Sequence, residues 1–402
     1  MRKLMILGAG IYQVPLILQA KKMGLYTVAV SRPGNYPGFA IADKIYELDT
    51  TDCEKVLAAA IRENIRGICT AGTDVAVKTV GYVCTRMGLS GLSEAAAEIV
   101  TNKAKMKEAF QKGGVSAAES QKIHTLQEAK QAAKELGFPV VIKAVDKSGS
   151  RGVIKTTVPE HLEEAYDQAM QETDLDYLLI EEFIEGVEIG VDAYVDHQEI
   201  RLLLPHDKFI YRVKGKTIPI GHQFPYPCSE KLSDEIQKQM KLAIRATGLQ
   251  NCPVNADIFV NGEQAWVIEI GGRSGATCIP ELISMHCGFN YYEQIIRGAL
   301  GEISDFTEHS HNSCMAELLF SKKNGMITGI NQEEIRALQK NGIGIQIDNP
   351  VGTRIEKFEN GTNRIGHVIA PMDQKREFDK ILKKIRRNIW VDEKSLEETW
   401  NE

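Results

Sequence analysis

The sequence predicts an α/β N-terminal domain leading into α+β domains, and three features carry that prediction. Leu4–Leu7 is an apolar run closed by Gly8-Ala9-Gly10, Val14–Met23 has helical spacing, and Tyr26–Val30 is a second apolar run. That order is a βαβ unit with a parallel sheet. Val254–Ile279 then reads as two short strands around Asn261-Gly262, running into a loop that carries Gly271, Gly272 and Arg273. From about residue 311 onward, strand-helix-strand-strand-helix order closes the chain as a small α+β domain.

At 402 residues the chain has room for two or three domains with substantial cores. Its 43% hydrophobic and 25% charged residues are ordinary for a soluble globular protein. A net charge of −6 gives no long-range attraction to phosphate backbones or anionic lipid, which argues against nucleic-acid and membrane partners. The eight cysteines lack CxxC or Cys/His ligand spacing, so reduced thiols and a cytoplasmic protein are expected. Arg2, Lys3 and the apolar run after them imitate a secretion signal. Gly8, Gly10, Gln13 and Pro15 interrupt it, and strand-turn-helix explains it better. No stretch reaches the roughly 20 apolar residues of a membrane span.

Further α/β units follow: a strand near Lys44–Glu47, a helix over Cys53–Glu63, a strand over Gly67–Thr70 and the loop Gly72-Thr73-Asp74. The Gly8-Ala9-Gly10 turn is a weak dinucleotide signal. Gln13 stands where a third glycine belongs, and no acidic residue ends the second strand. Asp74 lies beyond the C-terminal end of a strand, where open α/β sheets bind ligands. Capping the helix Val75–Met87 is its simpler role.

Ser93–Phe110 reads as one helix whose Lys103, Lys105 and Lys107 form a solvated face. Lys143 sits inside the buried-type strand Pro139–Val145 and needs an anionic partner. The segment Asp146–Val153 joins two strands with glycine and serine, so its backbone N–H groups can cover phosphate oxygens. It is not a Walker A loop, and a plain hairpin turn is the alternative. Tyr177–Ile180 is a strand running into Glu181–Glu188. Its edge can present backbone groups to an adenine, with Glu188 spaced for a ribose diol; an acidic solvated turn is the other reading.

Asp257 and Glu269 are the acidic residues inside the two strands of Val254–Ile279. Half-buried strand carboxylates need a partner, and a cation between them, Mg²⁺ for hard oxygen ligands, answers their repulsion. Two solvent-facing acids on an edge hairpin are the alternative. A two-residue Asn261-Gly262 turn would send them to opposite faces, so a shared metal requires an odd-length loop or a bulge. Further on, a basic amphipathic helix over Gln374–Ile389 reads as solvated, followed by a frayed acidic tail.

In this order and spacing the motifs resemble the ATP-grasp superfamily over essentially the whole chain. They are the helix with Lys103, PVVIKA with Lys143, SGSRGV, LLIEEFIEGVE and NADIF…WVIEIGGR. The resemblance implies an ATP-grasp fold. Residues 1–95 would form a Rossmann-like N-terminal domain, 96–305 the core with a mobile lid at about 116–185, and 306–402 a C-terminal α+β domain. Residue by residue it implies that Lys103 and Lys143 hold ATP phosphates and that Ser148-Gly149-Ser150-Arg151-Gly152 is the lid loop over the triphosphate. Glu181 would accept from the adenine amino group, Phe183 and Ile184 would offer hinge backbone, and Glu188 would bind ribose. Asp257 and Glu269 would ligate Mg²⁺ (or Mn²⁺), and Arg273 would steady the transferred phosphoryl group. His222 would contact phosphate or substrate, with a satisfied surface histidine as the other reading. Gly271 departs from the Glu-x-Asn pattern of many members and removes one expected metal ligand.

EIG-x-R, Gly221–Pro225 and Asn363–Val368 are similar to the L-amino acid ligase branch. A carboxylate–amine ligase follows, with small-molecule acid and amine substrates in a chain that could pair as a homodimer. Two other readings stand beside it: a bicarbonate-using carboxylase acting through carboxyphosphate, and a non-catalytic ATP-binding regulatory protein.

Overall fold

The structure, a computed structural model, describes residues 1–147, 149, 151–197, 199–213 and 216–401. Ser148 and Ser150 of the expected lid loop lie outside the described residues.

The N-terminal strands form a parallel sheet in the order Lys44–Glu47, Tyr26–Ser31, Lys3–Leu7, Gly67–Cys69. Leu4 to Leu7 are wholly buried because helices cover both faces, which is why the strand is apolar without alternation. Strand order reverses between Lys3–Leu7 and Gly67–Cys69, opening a crevice at their C-terminal ends. The Gly8–Gly10 and Ala71–Asp74 loops flank it. Gln13 Nε2 donates to Ala71 O at 2.6 Å while its Oε1 accepts from Gly10 N–H at 2.9 Å, so the side chain itself fills the turn.

Two helices replace the single one expected over Ser93–Phe110. Glu94–Val100 ends at Thr101, and Asn102 restarts the chain as Lys103–Gly113 by accepting from Lys105 N–H at 3.0 Å. Lys107 is not solvated: at 7% exposure it turns inward. A four-stranded antiparallel sheet follows, in the order Ser120–Ile123, Leu178–Glu182, Val140–Ala144, Val153–Thr156. Helices Leu126–Leu136 and Leu162–Glu172 pack on it around Ala129, Ile142, Ala165 and Ile180, a core of its own.

The central sheet has eight strands: Gln264–Gly271, Cys252–Asn261, Val187–Asp196, Glu199–Val213, Lys216–Phe224, Cys314–Phe320, Arg364–Ala370 and Gly344–Ile347. The last three come from beyond residue 306, so the C-terminal segment continues the core's sheet. Gly221–Phe224 pairing with Cys314–Glu317 makes that join. The tail is packed, contrary to expectation. Helix Leu396–Asn401 lays Trp400 against Phe320 at 4.6 Å between ring centroids and under the Arg386 guanidinium at 3.7 Å. Arg386, on the basic helix Lys375–Arg386, is buried and bonds Glu317 Oε1 at 2.7 Å, so that helix is not solvated all round.

The hairpin meets its register condition in an unexpected place. Asn261 pairs with Gln264, leaving a two-residue Gly262-Glu263 turn, and the register holds to Ile258↔Val267. A bulge then skips Ile268 and brings Asp257 directly opposite Glu269. The bulge, not the turn, puts both carboxylates on one face.

Candidate active site

Residues two apart on a strand share a face, so the ladder around the bulge arranges the site in rows. One row runs Gly271, Asn255, Asp192; the next runs Glu269, Asp257, Gly190, His206. A third holds Phe259 and Glu188, continued by Lys208 and its cross-strand partner His222. Gly190 is needed at the centre, because a Cβ there would stand 2.0 Å from the His206 ring.

Like charges directly opposed on a sheet destabilise it, and here two lysines offset them. Lys208 Nζ reaches Asp257 Oδ1 at 2.7 Å and Glu188 Oε1 at 2.6 Å. Burial alone would lower the Lys208 pKa; Asp257 and Glu188 outweigh it and raise it. Lys103 Nζ lies 3.5 Å from Glu269 Oε2 and donates to Lys147 O at 2.5 Å. No group of three or more His, Cys, Asp or Glu side chains gathers as a ligand set among the described residues. Two facing carboxylates whose remaining shell is left to phosphate oxygens and water still fit a hard dication that arrives with a polyphosphate.

Two compartments meet at this pair. The first, about 350 Å³, has Lys143, Gly149, Glu181, Phe183, Ile184 and Glu188 among its lining residues, over a floor of Phe259, Trp266 and Val267. Glu181, 3% exposed, accepts from Lys143 Nζ at 2.6 Å and faces Lys107 Nζ at 3.4 Å. Burial would raise its pKa, but the two lysines hold it below the ordinary value. Its Oε1 has no partner and is free to accept from a ligand. Phe183 N–H is already given to Pro139 O at 3.1 Å, and Lys155 Nζ stands 3.3 Å from the Phe183 ring centroid. Of the two expected hinge amides, Phe183's is therefore occupied. Gly152 accepts from Ala144 N–H at 2.8 Å with φ +63°, which lets the loop close tightly onto its strand.

The second compartment, about 510 Å³, is lined by Asp74, Asn255, Gly271 and Arg273 as well as by Lys103, Asp257 and Glu269. Asp74 does not cap its helix. Helix Val77–Met87 begins after Ala76 without a side-chain cap, and the Asp74 carboxylate instead grips Arg273, Oδ1 to Nε at 2.7 Å and Oδ2 to Nη2 at 3.0 Å. Arg273 Nη1 also donates to Asn255 Oδ1 at 2.6 Å. Asn255 in turn donates to Asp192 Oδ2 at 2.9 Å, which also bonds His206 Nε2 at 3.1 Å, and Asp192 Oδ1 accepts Gly275 N–H at 3.0 Å. Asp192 is fully buried and anchors this relay.

His222 is the expected residue that the structure sets apart. It is 3% exposed behind Lys208, edge-on to His206 with ring centroids 4.8 Å apart, and lines neither compartment. Burial, then His206 and Lys208, push its pKa well below the ordinary value. The ring packs beside the strand that carries Lys208, and its Nδ1 is buried without a hydrogen-bond partner. The sequence did not single out Lys208, Asn255 and Asp192, read Lys107 as solvated, and offered Asp74 either a place at a ligand-binding strand end or, more simply, a helix cap. Lys107 carried a signal, since it lies four residues from Lys103 and so on the same helix face.

Comparison with known proteins follows the same lines. Residues 136–281 match the family described as the ATP-grasp domain. Alanine–anticapsin ligase of Bacillus subtilis (strain 168) is 27% identical over 240 residues, 53% of this chain and 50% of that protein. A formate-dependent phosphoribosylglycinamide formyltransferase of Wolinella succinogenes is 25% identical over 312 residues, 74% of this chain and 76% of that protein. The chain thus spans half the length of the first of these relatives. The crystal structure of phosphoribosylglycinamide synthetase from Anaerococcus prevotii is similar at a TM-score of 0.82 and 29% identity, covering 97% of this chain and 99% of that one. L-amino acid ligase from Bacillus licheniformis shares the fold at a TM-score of 0.78 and 17% identity, covering 97% and 98%. No helix among the described residues is long and apolar enough to cross a membrane.

Proposed function

We propose that this chain, which belongs to the ATP-grasp superfamily, is an ATP-dependent carboxylate–amine ligase. It activates a small carboxylic or amino acid as an acyl phosphate and joins it to an amine, releasing ADP and phosphate. One observation carries the reading: two compartments share a wall made of Lys103, Asp257 and Glu269. A phosphoryl group passing between two bound molecules needs such a boundary, with cations and carboxylates in place beforehand.

In this reading the 350 Å³ compartment takes the nucleotide. The unpartnered Glu181 Oε1 accepts from the adenine amino group, Ile184 offers the remaining hinge backbone, and Glu188 takes the ribose. Lys103 and Lys143 turn to the phosphates, and the loop through Gly149 and Gly152 covers them. Asp257 and Glu269 hold Mg²⁺, which would neutralise charge on the phosphates. The acid lies in the 510 Å³ compartment, where its carboxylate attacks the γ-phosphate and Arg273 steadies the transferred group. An acyl phosphate hydrolyses readily, so the lid must close on it.

The test is an ADP-release screen of amino acids and small acids with Mg-ATP, with and without bicarbonate. ADP release that requires an acid and an amine supports the reading. Release that requires bicarbonate alone would transfer the chain to the carboxylases, and ATP binding without turnover would make it a regulatory protein.

A further inference from the structure

In that reading Arg273 is needed at the phosphoryl group, yet both edges of its guanidinium are held, one by Asp74 and one by Asn255. The two bonds differ in kind. Asn255 sits on the same hairpin and is neutral, so it can follow the arginine. Asp74 comes from the opposite wall, at the end of strand Gly67–Cys69, and its side chain is 38% exposed to the second compartment. When phosphoryl oxygens take Arg273, Asp74 is left as a half-buried carboxylate without a counter-ion, an unfavourable state that a cation relieves. The incoming amine is that cation, since it enters as an ammonium.

The other carboxylates of this compartment are committed. Asp257 and Glu269 face each other at the proposed metal site. Glu98 is paired to Lys105 at 2.5 Å and Lys78 at 3.2 Å, and Asp146 accepts from Thr173 Oγ1 at 2.6 Å and Asp174 N–H at 3.1 Å. Asp74 is the one whose partner the reaction itself removes. It also lines the second compartment directly beside Arg273, within reach of a nucleophile that approaches the group the arginine holds.

We propose that Asp74 is a catalytic residue of the second half-reaction, binding the ammonium of the nucleophile and taking a proton from it. The inference rests on the ligase reading above. Loss of the first proton to Asp74 frees the nitrogen lone pair, which forms the C–N bond; the C–O bond to phosphate breaks, and phosphate leaves with the electrons of that C–O bond. Of the two protons the nitrogen sheds, one passes to Asp74 and then to solvent, the other to the departing phosphate. Loss of the second proton becomes favourable as the C–N bond forms, because the nitrogen then grows acidic. While Arg273 is in place, the burial that would raise the Asp74 pKa is outweighed and the group stays below its ordinary value; removal of Arg273 reverses that balance. The ion pair thus keeps Asp74 a poor base until the acid has been activated.

Hydroxylamine separates the two half-reactions. It is largely unprotonated at neutral pH, traps acyl phosphates as hydroxamates and needs no base. Wild type and Asp74→Asn are incubated with Mg-ATP and a mixture of the proteinogenic L-amino acids, with or without hydroxylamine, and hydroxamates and dipeptides are quantified by mass spectrometry. The ratio of hydroxamate to dipeptide should rise about 100-fold or more in Asp74→Asn, the lower end of what one general base supplies, and Asp74→Glu should restore most of it. An equal fall of both products, with the thermal melt unchanged, would reduce Asp74 to a strap for Arg273. Wild type that makes neither product from any acid would overturn the ligase reading, and this one with it.

Discussion

The adenine end and the reacting end of the cleft handle charge in opposite ways. At the adenine end Glu181, Lys143 and Lys107 form a closed, buried cluster inside the fold: Glu181 is 3% exposed, Lys107 7% and Lys143 9%. At the reacting end buried cations are paired with carboxylates that face the two compartments. Asp74 holds Arg273 from the loop after strand Gly67–Cys69, and Lys208 bridges Asp257 and Glu188. The first arrangement is a preformed receptor, whose groups are dehydrated before a ligand arrives. In the second, each pair is a contact that the reactants must displace. A site that binds one large anion tightly and then moves charge through a second compartment is expected to combine the two.

That contrast can be broken at several points. Glu269→Ala removes one of the facing carboxylates, and ADP release should fall by about 100-fold or more, with the melting temperature preserved. Turnover kept with Mg-ATP would remove Glu269 from the site. Lys143→Ala strikes the preformed cluster. Nucleotide affinity should fall roughly 10- to 100-fold, the range of a charge-assisted hydrogen bond, and calorimetry reads it directly; an unchanged dissociation constant would place Lys143 outside nucleotide binding. Chemistry on a saturating nucleotide should suffer less than binding does.

The closed cluster also predicts a pH signature. The Glu181 carboxyl is held below its ordinary value by Lys143 and Lys107 against the burial that would raise it. A depressed folded value means that this stability is complete at neutral pH and is lost as pH falls below the ordinary glutamate range. Melting temperatures of wild type and Glu181→Gln should therefore differ at pH 7 and converge on acidification. A gap that stays constant with pH would mean that the cluster's charge does not contribute. The smallest effect belongs to Gly271→Asn, which completes a Glu-x-Asn pattern on the strand end. A Cβ there lies 3.3 Å from Asp74 Oδ1, so Asp74 must give way slightly. Turnover should drop by roughly fivefold, about 1 kcal/mol, with nucleotide affinity unchanged. A gain in turnover would instead mark Gly271 as a missing ligand position.

Much of the site was legible in the residues. Lys143 inside an apolar strand, Asp257 and Glu269 inside half-buried ones, and Glu181 at a strand's polar end each broke a local pattern, and a broken pattern signals a partner. What stayed hidden were partners distant along the chain. Asp74 and Arg273 are separated by 199 positions, and the sequence puts Asp74 at a strand's C-terminal end without naming its partner. Lys208 alternates in a long strand as a solvent-facing residue would, and only pairing with its neighbours points it at Asp257. His222 was read either as a ligand contact or as a satisfied surface histidine, and folding buries it against His206 and Lys208 with its Nδ1 unpartnered, which departs from the surface reading.

The hairpin separates the two sources of information most clearly. By itself the sequence determined that two carboxylates would sit in adjacent strands and that one metal could bind both only if the register slipped by one residue, because side chains alternate faces with a period of two. Where the slip would fall was decided by the tertiary structure. Gly262-Glu263 closes a tight turn, and pairing with Val187–Asp196 locks one strand along its length. The spare residue therefore had to be taken up at Ile268, next to the carboxylates themselves. Local residue types determine which groups need partners, whereas the choice among partners depends on distances that exist only after the chain has folded.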